Sequence, residues 1–185
     1  GRPRPIVYNS WEGCMFDFTE SKLLRLGRAA KQLDCELFVL DDGWFGRRNS
    51  DTSSLGDYTV NEKKLPGGLR SLGEKLNAMG LQFGLWFEPE SVSPDSELYR
   101  QHPDWALHDV LGREDLLGRH QLLLDLTKPE VRDYLVESVG GILDSAPISY
   151  VKWDMNRHSC ALGAQQHAFV LGLYDVLRRI FLPRP

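Results

Sequence analysis

The sequence predicts an α/β fold of the (β/α)8 TIM-barrel type, and three observations carry that prediction. Short apolar, β-rich runs alternate with helical stretches four times, as in parallel βαβ units. The runs are nearly continuous rather than alternating, the pattern of strands buried on both faces. Polar and aromatic residues gather where each run ends: Asn9 and Trp11, Asp41 and Asp42, Trp86 and Glu88, Lys152 and Asp154. Barrel enzymes build their sites at that C-terminal end. A doubly wound sheet shares the alternation, but no glycine-rich phosphate loop follows the first run.

The elements follow in order. "PIVYNSW" reads as the first strand, followed by a helix from about Thr19 to Leu33. Thr19 suits the N-cap, although Lys22 stands where a capping box would have an acidic residue. "ELFVLDD" is the second strand, and a polar loop near 43–66 leads to a helix from Gly68 to Met79. "LQFGLWFEP" is the third. A long insertion near 90–128 carries "HPDWAL" and "QLLLDLT", expected to form a small hairpin. A helix then runs from Pro129, apt for a first turn, to Leu143. "ISYVKWDM" is the fourth strand and Gln165 to Phe181 the fourth helix. A full barrel has eight such units, so residues 1–185 read as about four βα units, a half-barrel and a partial (β/α)8 domain.

Composition narrows the function. With 185 residues, 42% hydrophobic and 26% charged, the chain suits a globular domain with a substantial core. A net charge of -4 argues against a nucleic-acid or anionic-membrane partner. The pairs Arg47-Arg48 and Arg178-Arg179 are isolated and read as solvated surface. No apolar run reaches the roughly 18 residues of a membrane span, and the first ten residues lack a signal-peptide pattern. Cys14, Cys35 and Cys160 show no CxxC spacing, which fits reduced thiols in a cytoplasmic protein.

The strand ends carry the chemistry. Residues i and i+2 of a strand share a face, so Lys152 and Asp154 project together and Trp153 projects oppositely. Buried ion pairs stabilise poorly once desolvation is counted, which favours a functional role for this one. A neighbouring lysine keeps Asp154 ionised, as a nucleophile at an anomeric carbon requires and a general acid does not. Asp41 and Asp42 can both reach a ligand only where the strand breaks, which Gly43 permits. Trp11, Trp44 and Trp86 are of the type that stacks on sugar rings. Asp41, Asp42, Glu88 and Glu90 could offer oxygens to a hard cation, but no histidine joins them and Lys152 lies among them. No metal or other cofactor is expected. His102, His108 and His120 read as surface, and no GxSxG elbow supports serine catalysis.

With these residues in place, the sequence resembles the catalytic domain of bacterial α-galactosidases, glycoside hydrolase family 36. The likeness rests on "NSWE", "LDDGWFG", "SLGDY", "LPGGL", "GLWFEPE", "SPDSELYRQHPDW", "LDLTKPEVRDYL" and "KWDMNRH", in one order. It implies a retaining hydrolase of terminal α-galactosides of the melibiose and raffinose type, acting through a covalent galactosyl-aspartate. It further implies Asp154 as nucleophile, Lys152, Asp41 and Asp42 as ligands of sugar hydroxyls, and Trp11 and Trp86 as pocket walls. Arg119 of "GRHQLLLDL" is implied to contact substrate, and Asn156 completes the nucleophile motif. Tyr58 stands where tryptophan is usual, Ser91 where methionine is common, and "SCALG" departs from the family's continuation.

The same resemblance places the general acid/base on an aspartate after the sixth barrel strand, outside residues 1–185. The chain alone is therefore expected to be inactive or nearly so. Two alternatives stand beside hydrolysis: galactosyl transfer through the same intermediate, and a non-catalytic half-barrel that binds sugar. Open strand edges favour pairing between copies, so a homo-oligomer is expected, with an α-galactoside oligosaccharide as ligand.

Overall fold

The computed structural model describes residues 3–108, 117–158 and 163–184; Cys160 and most of "SCALG" lie outside them. Two compact units emerge: residues 1–50, 59–87 and 143–154 form one, and residues 51–58, 88–142 and 155–185 the other.

The first unit is built on a four-stranded sheet of β1 (Val7–Asn9), β2 (Leu37–Leu40), β3 (Gln82–Phe87) and β6 (Ile148–Trp153), parallel throughout and in that order. These are the four runs that the sequence marks as strands. β2 is buried at every residue, matching its unbroken apolar run. The outer strands are less covered, with Val7 and Tyr150 exposed. Between Phe83 and Gly84 of β3 the register with β6 shifts: Phe83 pairs with Ile148 and Gly84 with Tyr150, leaving Ser149 over.

Three helices belong to this unit: α1 (Trp11–Cys14), α2 (Glu20–Gln32) and α3 (Gly68–Ala78). Thr19 caps α2, its hydroxyl accepting the backbone N–H of Lys22, as the sequence indicates. α2 buries Leu23, Gly27 and Ala30, spaced four and three residues apart on one stripe. α3 buries Leu69, Leu72, Gly73 and Leu76; each fully buried leucine contributes about 1.5–3 kcal/mol. A Cβ on Gly73 would meet Phe83 Cδ1 at 2.8 Å, so the lack of a side chain sets how closely α3 lies on β3.

The second unit holds a two-stranded antiparallel sheet, β4 (Ser91–Val92) with β5 (Leu122–Leu123). It also contains α4 (Glu97–Gln101), most of α5 (Pro129–Ser145), and α6 (Gln166–Phe181). The expected hairpin of "HPDWAL" with "QLLLDLT" is reduced to one bridge, Ala106 with Leu124. The strand partner of Leu122–Leu123 is instead Ser91–Val92, because Pro103–Trp105 forms a 3-10 turn. α6 approaches Leu126 so closely that a Cβ on Gly172 would lie 2.1 Å from its carbonyl oxygen. Ion pairs of Arg179 with Asp133 (2.8 Å) and Arg132 with Asp175 (3.3 Å) join α6 to α5. Among the described residues, no helix is long and apolar enough to cross a membrane.

Candidate active site

In the first unit, the C-terminal ends of the parallel strands converge on Asp41, which is 3% exposed. Its Oδ2 accepts from Lys152 Nζ at 2.8 Å and from Asn9 Nδ2 at 2.6 Å. Its Oδ1 accepts the backbone N–H of Asp42 at 2.9 Å, and its own N–H donates to Ser10 Oγ. Asn9 at the end of β1 and Lys152 near the end of β6 thus meet at one carboxylate just past β2. Asp154 follows β6 and extends the ladder by one bond, its N–H donating to Phe87 O at 2.8 Å. Its Oδ2 accepts the Trp86 indole N–H at 3.0 Å.

These distances refine the sequence expectation for Lys152. Strand alternation pairs it with Asp154, whereas its short ion pair is with Asp41, from a strand 111 residues away. Asp42 turns to a different cation. Arg48 Nε lies 2.9 and 3.2 Å from its two oxygens and Nη2 lies 2.8 Å from Oδ2. The reading of Arg48 as solvated surface is therefore wrong: its side chain is 1% exposed. The physical reason is that Asp42 is itself buried, and a buried carboxylate needs a charged partner. Burial pushes the Asp42 carboxyl up from its usual range, with the Arg48 hydrogen bonds and charge acting against that shift. Gly43, at φ 106, provides the turn that sends the two aspartates to different partners.

The three tryptophans separate. Trp11 opens α1, donates its backbone N–H to Asn9 Oδ1 at 2.8 Å, and stays half-buried with its ring edge-on to Phe16 at 5.0 Å. Trp86 stacks parallel to Phe45 at 6.2 Å and directs its N–H to Asp154. Trp44 is core rather than platform: it is fully buried and its indole N–H donates to Trp86 O at 2.9 Å.

A second polar cluster lies wholly in the other unit and centres on Glu88, which is buried. Its Oε1 accepts from the Asn156 backbone N–H at 2.6 Å and from Gln121 Nε2 at 2.5 Å; its Oε2 accepts from Asn156 Nδ2 at 3.0 Å. Arg157 Nε donates to Gln121 O at 2.8 Å, and the Tyr58 hydroxyl accepts the Glu88 N–H at 3.3 Å. Glu88, a candidate hard-cation ligand in the sequence, here anchors Asn156. Arg119 is exposed in this unit, 4.0 Å from Asp51. It and His120 both have positive φ, 53° and 59°, in a two-residue turn bridged by Gly118 and Gln121. Ser91 is fully buried, and its hydroxyl has no hydrogen-bond partner among the described residues.

Sequence reasoning missed Asn9 as a ligand of Asp41, Arg48 as the partner of Asp42, and Gln121. A cation six residues after a buried "DD" was the available signal for Arg48. Among the described residues, no three His, Cys, Asp or Glu side chains gather in a way that could hold a metal ion.

The Melibiase family model matches residues 1–183. The chain is 52% identical over 189 residues to alpha-galactosidase AgaA of Geobacillus stearothermophilus, covering 97% of this chain and 26% of that protein. It is 46% identical to the bifunctional alpha-galactosidase/sucrose kinase AgaSK of Mediterraneibacter gnavus, covering 96% of this chain and 19% of the relative. The galactosidase domain of AgaSK superposes with a TM-score of 0.93 at 45% identity, over 98% of this chain and 26% of that one. A variant of AgaA solved in complex with raffinose gives 0.89 at 49%, over 100% and 27%. The chain therefore spans about a quarter, or less, of the length of these curated relatives.

Proposed function

The chain belongs to the Melibiase family, and from that premise we propose that it carries the nucleophile half of a retaining α-galactosidase centre. The observation that carries the reading is the set at the strand ends of the first unit. Asp154 is held by the Trp86 indole, beside an Asp41 carboxylate fixed by Lys152 and Asn9.

In this reading Asp154 Oδ attacks the anomeric carbon of a terminal α-galactoside and the glycosidic C–O bond breaks. The leaving oxygen takes its proton from a second carboxyl group about 5 Å from the nucleophile. Water then attacks the galactosyl-aspartate, giving its proton back to that group. We assign the general acid/base to an aspartate outside residues 1–185. Asp41, Asp42 and Lys152 bind galactose hydroxyls. Asp41 accepts three N–H donors in the structure, from Asn9, Asp42 and Lys152, and a carboxylate has about four acceptor positions. On the proposal, the remaining position on Asp41 takes a sugar hydroxyl. Trp11 and Trp86 flank the sugar, Asn156 orients the segment after the nucleophile, and Arg119 meets the rest of the oligosaccharide. Raffinose and stachyose, bound in structures of relatives, are the proposed substrate type.

The four-stranded parallel sheet is, on the same proposal, one half of a (β/α)8 barrel. Support comes from its strand order and from the exposure of Val7 (44%) and Tyr150 (42%) on the two outer strands, which further strands would cover.

The test uses the full-length protein with an aryl α-galactoside. Asp154→Asn abolishes turnover, and rapid acid quench of the parent yields a peptide containing Asp154 that carries one hexosyl unit. Turnover that survives Asp154→Asn, or release of sugar with inverted configuration, overturns the proposal.

A further inference from the structure

Lys64 lies outside every motif assigned above, yet its ammonium sits where two loops of the first unit meet. Nζ donates to three backbone carbonyls: Phe16 O at 3.0 Å, Gly43 O at 2.9 Å and Arg48 O at 3.0 Å. An ammonium has three donors, so all of them are engaged. The Phe18 ring centroid lies 4.6 Å from the same nitrogen.

The identity of those carbonyls matters. Gly43 follows Asp42 directly, and Arg48 is the cation paired with Asp42. One ammonium therefore ties the backbone at both ends of that buried ion pair. Phe16 belongs to the other loop. Its ring stands edge-on to Trp11 and lies 5.9 Å from the Arg48 guanidinium carbon. Lys64 itself has a fixed base: its N–H donates to Asn61 O and Oδ1, and its carbonyl accepts from Glu20 N. Asn61 in turn donates from its backbone to Trp44 O and from Nδ2 to Gly46 O.

We propose that Lys64 is a positioning residue, which locks the loop bearing Asp42 and Arg48 to the loop bearing Phe16, on which Trp11 packs, and so sets the sugar-facing groups of both. No other side chain does this equally well at that point. A methionine leaves three carbonyls without their donor. An arginine spreads its donors over a planar fork and cannot converge on three carbonyls from one nitrogen. Burial lowers the Lys64 pKa, opposed by the charges of Asp42 and Asp17.

The functional arm rests on the α-galactosidase reading; the structural arm does not. Both use the full-length protein. In ligand-free hydrogen exchange, Lys64→Met raises the rates of amides in 42–48 and in 15–17 together. In calorimetry, it weakens galactose binding about tenfold, or about 1.4 kcal/mol, and much less when Asp42→Asn is already present. Lys64→Arg gives intermediate exchange in both loops and serves if the methionine variant does not fold. Unchanged exchange in either loop overturns the tie, and additive losses with Asp42→Asn overturn the positioning role. A parent protein that binds no galactose defeats the α-galactosidase reading instead, while the exchange arm still decides the tie.

Discussion

Lys152 Nζ and Asp41 Oδ2 are 2.8 Å apart, although β3 runs between the strands that carry them. Two strand spacings amount to roughly 10 Å, a gap the long lysine stem covers while the side chain stays 38% exposed. Asp41 has little water of its own, so this ion pair is its main charge compensation. Lys152→Met is expected to weaken galactose binding tenfold or more and also to lower the urea midpoint, because the buried Asp41 carboxylate loses its cation. Calorimetry on the full-length variant checks this, and unchanged affinity would remove Lys152 from the sugar-binding group.

Trp86 offers a cleaner separation of packing from hydrogen bonding. Trp86→Phe keeps a ring against Phe45 but deletes the donor to Asp154. A hydrogen bond to a charged group contributes about 1.5–3 kcal/mol, so kcat should fall about tenfold or more while the fold survives. Steady-state kinetics with matched circular dichroism decides it. A variant with parental kcat would show that the indole serves the core alone.

The Asp42–Arg48 pair should be costly to break from one side. Asp42→Asn removes the carboxylate charge facing a guanidinium that is 1% exposed, and losing one charge of a buried pair typically costs 3–5 kcal/mol. Replacing both, as Asp42→Leu with Arg48→Met, should cost less than the two single changes added together. Urea unfolding of the four proteins measures the coupling. Simple additivity would mean the pair does not act as a unit.

Tyr134 gives a pH signature. Burial, and after it the charge of Asp57, push its phenol up to about 12, and its hydroxyl donates to Gly56 O at 2.8 Å. Below pH 10 the folded and unfolded states both hold the proton. Between 10 and 12 only the unfolded state releases it, so stability declines as pH rises through that window, by roughly 2 kcal/mol. Tyr134→Phe removes this part of the decline. Equal alkaline slopes for parent and variant in urea titrations would refute it.

Much of the fold was legible because each level agreed. Unbroken apolar runs marked β2 and β3, and the hydroxyl of Thr19 marked the start of α2. Pro129 marked the start of α5. Local rules failed where the answer was tertiary. Alternation showed that Lys152 and Asp154 share a face, but not that a carboxylate from beyond β2 would take the lysine. Arg48 looked like surface because nothing in "GRRNS" reveals that the chain folds back over Asp42. α1 and α4 are too short to produce a periodic signal, and α4 depends on distant caps: Asp57 accepts the N–H groups of Glu97 and Leu98.

The extra residue at Ser149 acts as punctuation for β6. In a parallel ladder, residues in register point to the same side, and a slip of one reverses every side chain that follows. Because Ser149 is skipped, Lys152 rather than Val151 stands level with Trp86, and Asp154 follows on that side. The two ends of β6 therefore obey opposite parities, one suited to the sheet's base and the other to its reactive rim. A one-residue deletion after this point, at Val151, would keep every residue of "KWDMN" yet turn its lysine and aspartate away from the rim.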